Sequence, residues 1–232
     1  PEDIKTNEEL YLTGLRIEQF HNPALDPDPY WQEALRRDPG DVRVNTALGI
    51  NYLKRARFEE AESLFRKALE RLTAKYTSPK NGEPFYYLGV ALKAQGRDKE
   101  AFDNFYKATW SDAWRAAGYY SLAEIACGRG DMVAALDFVG RSFEANSLNI
   151  RALNLRAAVL RHMDQPDDAL KVLALAHQIA DPLDVRIMAE KWLATQSPKI
   201  AKAMISVMNE HPATAQETAA EYFNAGLWKD GS

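Results

Sequence analysis

The side chains best suited to chemistry in this sequence are one thiol, four imidazoles and a few close carboxylates. Cys127 is the only cysteine, and the histidines stand at His21, His162, His177 and His211. A thiol nucleophile needs an imidazole to take its proton, and a zinc site needs grouped ligands such as Cys-x-x-Cys or two histidines one helical turn apart. Neither spacing occurs, so Cys127 reads as a packed thiol, the ordinary role of a free cysteine. Asp26 and Asp28 alternate with Pro27 and Pro29. Paired carboxylates do acid–base work only where a pocket drives their pKa values apart, and the prolines make this pair turn residues instead. Gly128-Arg129-Gly130 lacks the preceding strand of a phosphate loop. The overlapping Arg129-Gly130-Asp131 spells an adhesion tripeptide, but a turn favours Gly and Asp in any case. No enzyme signature emerges, and the expectation is a non-catalytic chain with no catalytic, cofactor-binding or metal-ligating residues.

Composition narrows the partners. The 232 residues are 46% hydrophobic and 27% charged, with a net charge of −4. Lys and Arg are dispersed, whereas a phosphate-binding protein gathers them on one face, so nucleic acid is not expected. No apolar run approaches the roughly 18 residues of a membrane span, so no membrane is expected. A single cysteine excludes an internal disulfide framework and suits a reducing compartment. The chain opens at Pro1 without an initiator Met and closes on Gly231-Ser232, as an excised module of a longer protein would.

The elements that position these residues are set by a period of 34. Phe85-Tyr86-Tyr87-Leu88-Gly89 recurs 34 residues on as Tyr119-Tyr120-Ser121-Leu122-Ala123, and Ala101 recurs at Ala135 and Ala169. Leu48-Gly49, Tyr52, Ala61, Phe65 and Ala68 repeat the internal spacing, with six extra residues placed in the turn-rich stretch Tyr76–Pro84. Turn signals separate paired helices at Arg55-Ala56-Arg57, Gln95-Gly96-Arg97, Arg129-Gly130-Asp131 and Asp164-Gln165-Pro166. Small residues at Gly49, Gly89, Ala123 and Ala157 let two helices approach, and Phe65, Phe105, Tyr52 and Leu92 fill the gaps between pairs. One pair cannot bury its apolar face alone, so the pairs must stack.

This pattern resembles the tetratricopeptide repeat (TPR) family. The resemblance implies an all-α fold, a right-handed superhelix of stacked antiparallel helix pairs, forming one solenoid domain over 1–232. Units are expected at about 42–78, 82–115, 116–149 and 150–183. A degenerate copy precedes them at 7–40, its middle broken by Pro23, Pro27 and Pro29. A shortened pair follows at 184–211, broken at Ser197-Pro198, and 212–232 reads as a truncated unit closing on Asn224-Ala225-Gly226-Leu227-Trp228. Phrases such as Ala34-Leu35-Arg36-Arg37-Asp38-Pro39-Gly40-Asp41, and Tyr106-Lys107-Ala108-Thr109-Trp110 with Trp114, resemble the repeat region of large bacterial proteins. In those proteins an N-terminal mutarotase-like domain of unknown function precedes the repeats, which implies a cytoplasmic bacterial protein linked to carbohydrate metabolism.

In the TPR family the first helix of each pair lines a concave groove that holds extended or helical peptides. The second, fifth, ninth, twelfth and thirteenth positions face it, which here selects Arg43, Lys54, Tyr86, Lys93, Tyr120, Glu124, Arg151, Asn154 and Arg161 as the partner-binding candidates. Thr46, Ile50 and Val90 stand where chaperone-binding members carry Lys and Asn, so a carboxylate clamp is not expected. Tyr and Arg dominate binding hot spots, against the alternative that these are solvated helix-face residues. Trp110 and Trp114, four apart, form either an exposed aromatic platform or a seal between units. The expected function is a protein-interaction scaffold for a protein or peptide, with a homo-oligomer left open. The alternative is an accessory repeat region of a carbohydrate-active enzyme whose catalytic domain lies outside this chain.

Overall fold

A computed structural model describes residues 1–20, 24–76 and 79–232, so His21 and Pro23 of the expected loop, and Thr77 and Ser78 of the next, lie outside the described residues. Among the described residues there are thirteen α-helices and no strand. They fall into two compact units, Pro1–Trp114 and Arg115–Ser232.

The first unit carries α1 (Asn7–Gln19), α2 (Asp28–Arg37), α3 (Val42–Lys54), α4 (Phe58–Thr73), α5 (Glu83–Ala94) and α6 (Asp98–Ala108). The second carries α7 (Asp112–Gly128, all but its first three residues), α8 (Met132–Ala145), α9 (Ile150–His162), α10 (Pro166–Ile179), α11 (Val185–Thr195), α12 (Pro198–Glu210) and α13 (Pro212–Asn224). Helix pairs thus occupy each repeated segment of the sequence. Pro29 and Pro198 stand in the first turns of α2 and α12, where a missing N–H costs nothing.

Local chemistry sets the ends. Asp41 accepts from the Arg43 and Val44 amides, and Asn149 from the Ala152 amide, satisfying orphan donors at the starts of α3 and α9. At the other end of α3, the Arg57 amide donates to the Tyr52 carbonyl and the Ala56 amide to the Leu53 carbonyl. The same paired bonds close α5, α7 and α9. This closure needs one left-handed residue, supplied by Gly96 and Gly130 but also by Ala56 at φ 56° and Asp164 at φ 59°.

The pairs lock by matching a small residue to a large one sixteen positions later. A β-carbon on Gly49 would lie 2.6 Å from the Phe65 ring, and one on Gly89 2.7 Å from the Phe105 ring. In the second unit the small residue grows to alanine and the large one shrinks. Ala123 shares a buried cluster with Val139, and Ala157 shares another with Leu173. The summed volume stays near constant, as a close-packed interior requires.

Candidate functional site

In the first unit, α1, α3 and the start of α5 enclose a cavity of about 140 Å3. Arg43, Thr46, Ile50 and Lys54 of α3 line it, together with Tyr11, Leu15 and Glu18 of α1. Two charge bridges tie α1 to α3 at its ends. Arg43 meets Glu8 at 2.6 Å and stacks over the Tyr11 ring at 4.7 Å, while Lys54 pairs with Glu18. The buried Asn51 donates to Asp28 at 2.5 Å, which also holds Arg55 at 2.7 Å, so the Pro-flanked aspartate anchors α2 to α3. Glu83, at the first position of α5, completes the wall. Half-buried, its carboxyl is pushed above the usual range by burial, so a cation brought to it gains more than at a solvated carboxylate.

Tyr86 stands apart from this cavity. Its ring stacks on Trp114 at 4.9 Å and meets Phe105 at 5.5 Å and Tyr87 at 5.4 Å. Trp114 is half-buried in that cluster, whereas Trp110 is exposed, so the two do not form one open platform. Lys93 is half-buried near the end of α5.

The second unit gathers the remaining candidates, and the segment from α13 onward meets three of them, Tyr120, Arg151 and Arg161. Tyr120 is buried beneath Arg151, whose guanidinium lies 4.7 Å from the ring centre and whose Nε donates to Glu221 of α13 at 2.8 Å. Arg161 donates to Glu190 at 2.7 Å and to Asp230 at 2.7 Å, and His162 Nε2 stands 2.6 Å from the same Asp230 oxygen. Tyr222 donates its hydroxyl to Glu190 at 2.6 Å. Glu190 is fully enclosed, a burial tolerable for a carboxylate only with such partners. Burial opposes the charge on Asp230, yet hydrogen bonds from His162 and Arg161 hold its carboxyl below the usual range. Burial pushes the Tyr120 and Tyr222 hydroxyls up. Glu124 and Asn154 are buried as well. The Asn154 side-chain oxygen meets no hydrogen-bond donor among the described residues. Cys127 is buried in the same cluster as Tyr120, Tyr222 and Leu227.

α13 and its tail lie against the first helices α7, α9 and α11. The closing turn is the expected one, with the Leu227 amide donating to the Tyr222 carbonyl and Gly226 at φ 72°. A β-carbon on Gly226 would lie 2.7 Å from the Gly128 α-carbon, so this turn sits directly on the end of α7.

Sequence reasoning missed Glu8, Tyr11, Leu15 and Glu18, although a signal existed. With Gly14 aligned to Gly49, they take in α1 the places of Arg43, Thr46, Ile50 and Leu53 in α3. Glu190, Glu221 and Asp230 carried no such signal, because they find their partners across the fold.

No protein-family model matches the chain. Among solved structures it resembles PilF of Pseudomonas aeruginosa, with a TM-score of 0.71 at 18% identity over 93% of this chain and 97% of that one. It resembles PilW, a type IV pilus biogenesis factor, with a TM-score of 0.71 at 15% identity over 90% and 94%. It also resembles YrrB, a TPR protein with an unusual peptide-binding site, with a TM-score of 0.58 at 18% identity over 81% and 96%. At these identities the likeness shows the fold: this chain is an all-α solenoid of the TPR type.

Proposed function

We propose that this protein is a non-catalytic interaction scaffold that holds a peptide on the first-helix face of its first unit. The observation that carries this reading is the cavity between α1 and α3, lined on both helices by the positions that face the groove in TPR solenoids. Its walls combine apolar Ile50 and Leu15 with the raised carboxyl of Glu83. That chemistry suits a long basic side chain, whose methylenes bury against the walls while its charge reaches the carboxylate. Arg43, Lys54, Tyr86 and Lys93 are the contacts offered to the rest of the peptide. The likeness of fold to YrrB supports a peptide as the ligand class. The phrases shared with repeat regions of large bacterial proteins support a module of such a protein, acting in the cytoplasm.

A positional-scanning library of labelled hexapeptides, read by fluorescence anisotropy on the full chain, tests the reading. Selected peptides carry Lys or Arg at one position. Ile50→Trp fills the cavity and weakens them at least about tenfold, or 1.4 kcal/mol, and Glu83→Gln removes the preference for Lys over Met at that position. Equal binding to the Ile50→Trp protein would place the site elsewhere.

A further inference from the structure

In the second unit the first-helix face is already occupied. Tyr222, Ala225 and Leu227 are buried in one cluster with Tyr120, Ala126 and Ala158. Acidic groups on the segment, Glu221 and Asp230, meet cations on the face, Arg151 and Arg161. An apolar stripe flanked by complementary charge is how an amphipathic helix is held in a groove.

Three observations show that this seat is imperfect. Asn154 shares one helical face with Arg151, Ala158 and Arg161, and its buried oxygen has no donor among the described residues. Between α13 and the helices α11 and α12 runs a cleft of about 390 Å3, lined by Trp192, Met204 and Met208. No residue of α12 is fully buried. A well-packed interior leaves neither orphaned acceptors nor such gaps.

We propose that the first-helix face of the second unit is a helix-receiving groove, filled in cis by residues 212–230 and released to a partner helix of the same chemistry. That partner is a helix with its closing turn, presenting an acid and an aromatic hydroxyl on the helix and a second acid beyond the turn, as Glu221, Tyr222 and Asp230 do. The proposal uses no residue of the first unit's cavity and stands or falls separately from it. The segment acts as a resident competitor, so the apparent affinity for the partner is set by how often the segment lifts off.

Hydrogen exchange on the full chain gives the first test. The amides of α13 exchange at least tenfold faster than those of α9, because the segment opens without global unfolding. Equal protection of α13 and α9 would overturn the proposal. A labelled peptide of residues 212–232 gives the second. It binds Tyr222→Ala or Gly226→Val protein at least tenfold more tightly than the intact chain, and the same peptide carrying Glu221→Lys and Asp230→Lys does not bind. Two cis variants are used because each loosens the segment differently, one by losing an anchor and one by closing the approach to Gly128. Peptide binding that is absent from both folded variants, or equal in all three proteins, would refute a helix-receiving groove. Dimers that form by exchange of the segment, at the expense of peptide binding, would overturn the assignment to a partner in favour of a second copy.

Discussion

Exchanging the small–large pairing of one repeat for that of another isolates what the glycines do. In α5, Gly89 faces Phe105; in α9, the corresponding Ala157 faces Leu173. A methyl at 89 would lie 2.7 Å from two ring carbons and 3.0 Å from a third, so the ring must retreat by about 1 Å to reach ordinary contact near 3.6 Å. It has little room, being 1% exposed and already against Tyr86. Overpacking of this kind costs about 2 kcal/mol, offset by about 1 kcal/mol from alanine's better helix propensity, so Gly89→Ala loses about 1 kcal/mol. Phe105→Leu alone leaves a gap where the ring stood and loses about 1–2 kcal/mol. Combined, the methyl occupies part of that gap and the clash is gone. The double variant should then fall within about 1 kcal/mol of the parent, a favourable coupling of about 1–2 kcal/mol. Urea unfolding of the four proteins at a common m-value measures the cycle. Distant, independent sites add within about 0.5 kcal/mol; additivity here would refute the claim that the glycine exists to admit the ring.

Two further outcomes follow from local chemistry. Ala56 is exposed at φ 56°, a conformation costing an L-residue about 1 kcal/mol, so Ala56→Gly should raise stability by a few tenths to about 1 kcal/mol in thermal melts, and a lower midpoint would contradict the strain. Hydrogen bonds from Arg36 and then Arg37 hold the Glu33 carboxyl down, from 4.5 to about 2. A depressed carboxylate binds fewer protons folded than unfolded, so the stability it confers is present above pH 4.5 and lost as pH falls toward 2. Glu33→Gln should flatten that stretch of the stability–pH curve, and an unchanged slope there would remove Glu33 as its cause.

What the sequence determined by itself was whatever a few neighbouring residues or one fixed spacing can enforce. The turn after each first helix depends on about six consecutive residues, which is why Asn224-Ala225-Gly226-Leu227 was recognisable as such a turn and forms one. The period was legible because each small residue must meet its large partner sixteen positions on, within the same helix pair. The cavity of the first unit was half legible, through α3 but not through the degenerate α1. Where the last segment goes was decided only in three dimensions. Nothing near position 212 distinguishes a helix that extends the stack from one that turns back along it. The choice rests on Glu221 finding Arg151 seventy residues earlier, Asp230 finding Arg161 sixty-nine residues earlier, and Tyr222 finding Glu190. Glu190, Arg161 and Asp230 are buried or half-buried charges that need a partner wherever the chain can bring one. The apolar side of α13 packs where apolar surface and opposite charge already stand together, on the first helices of its own unit.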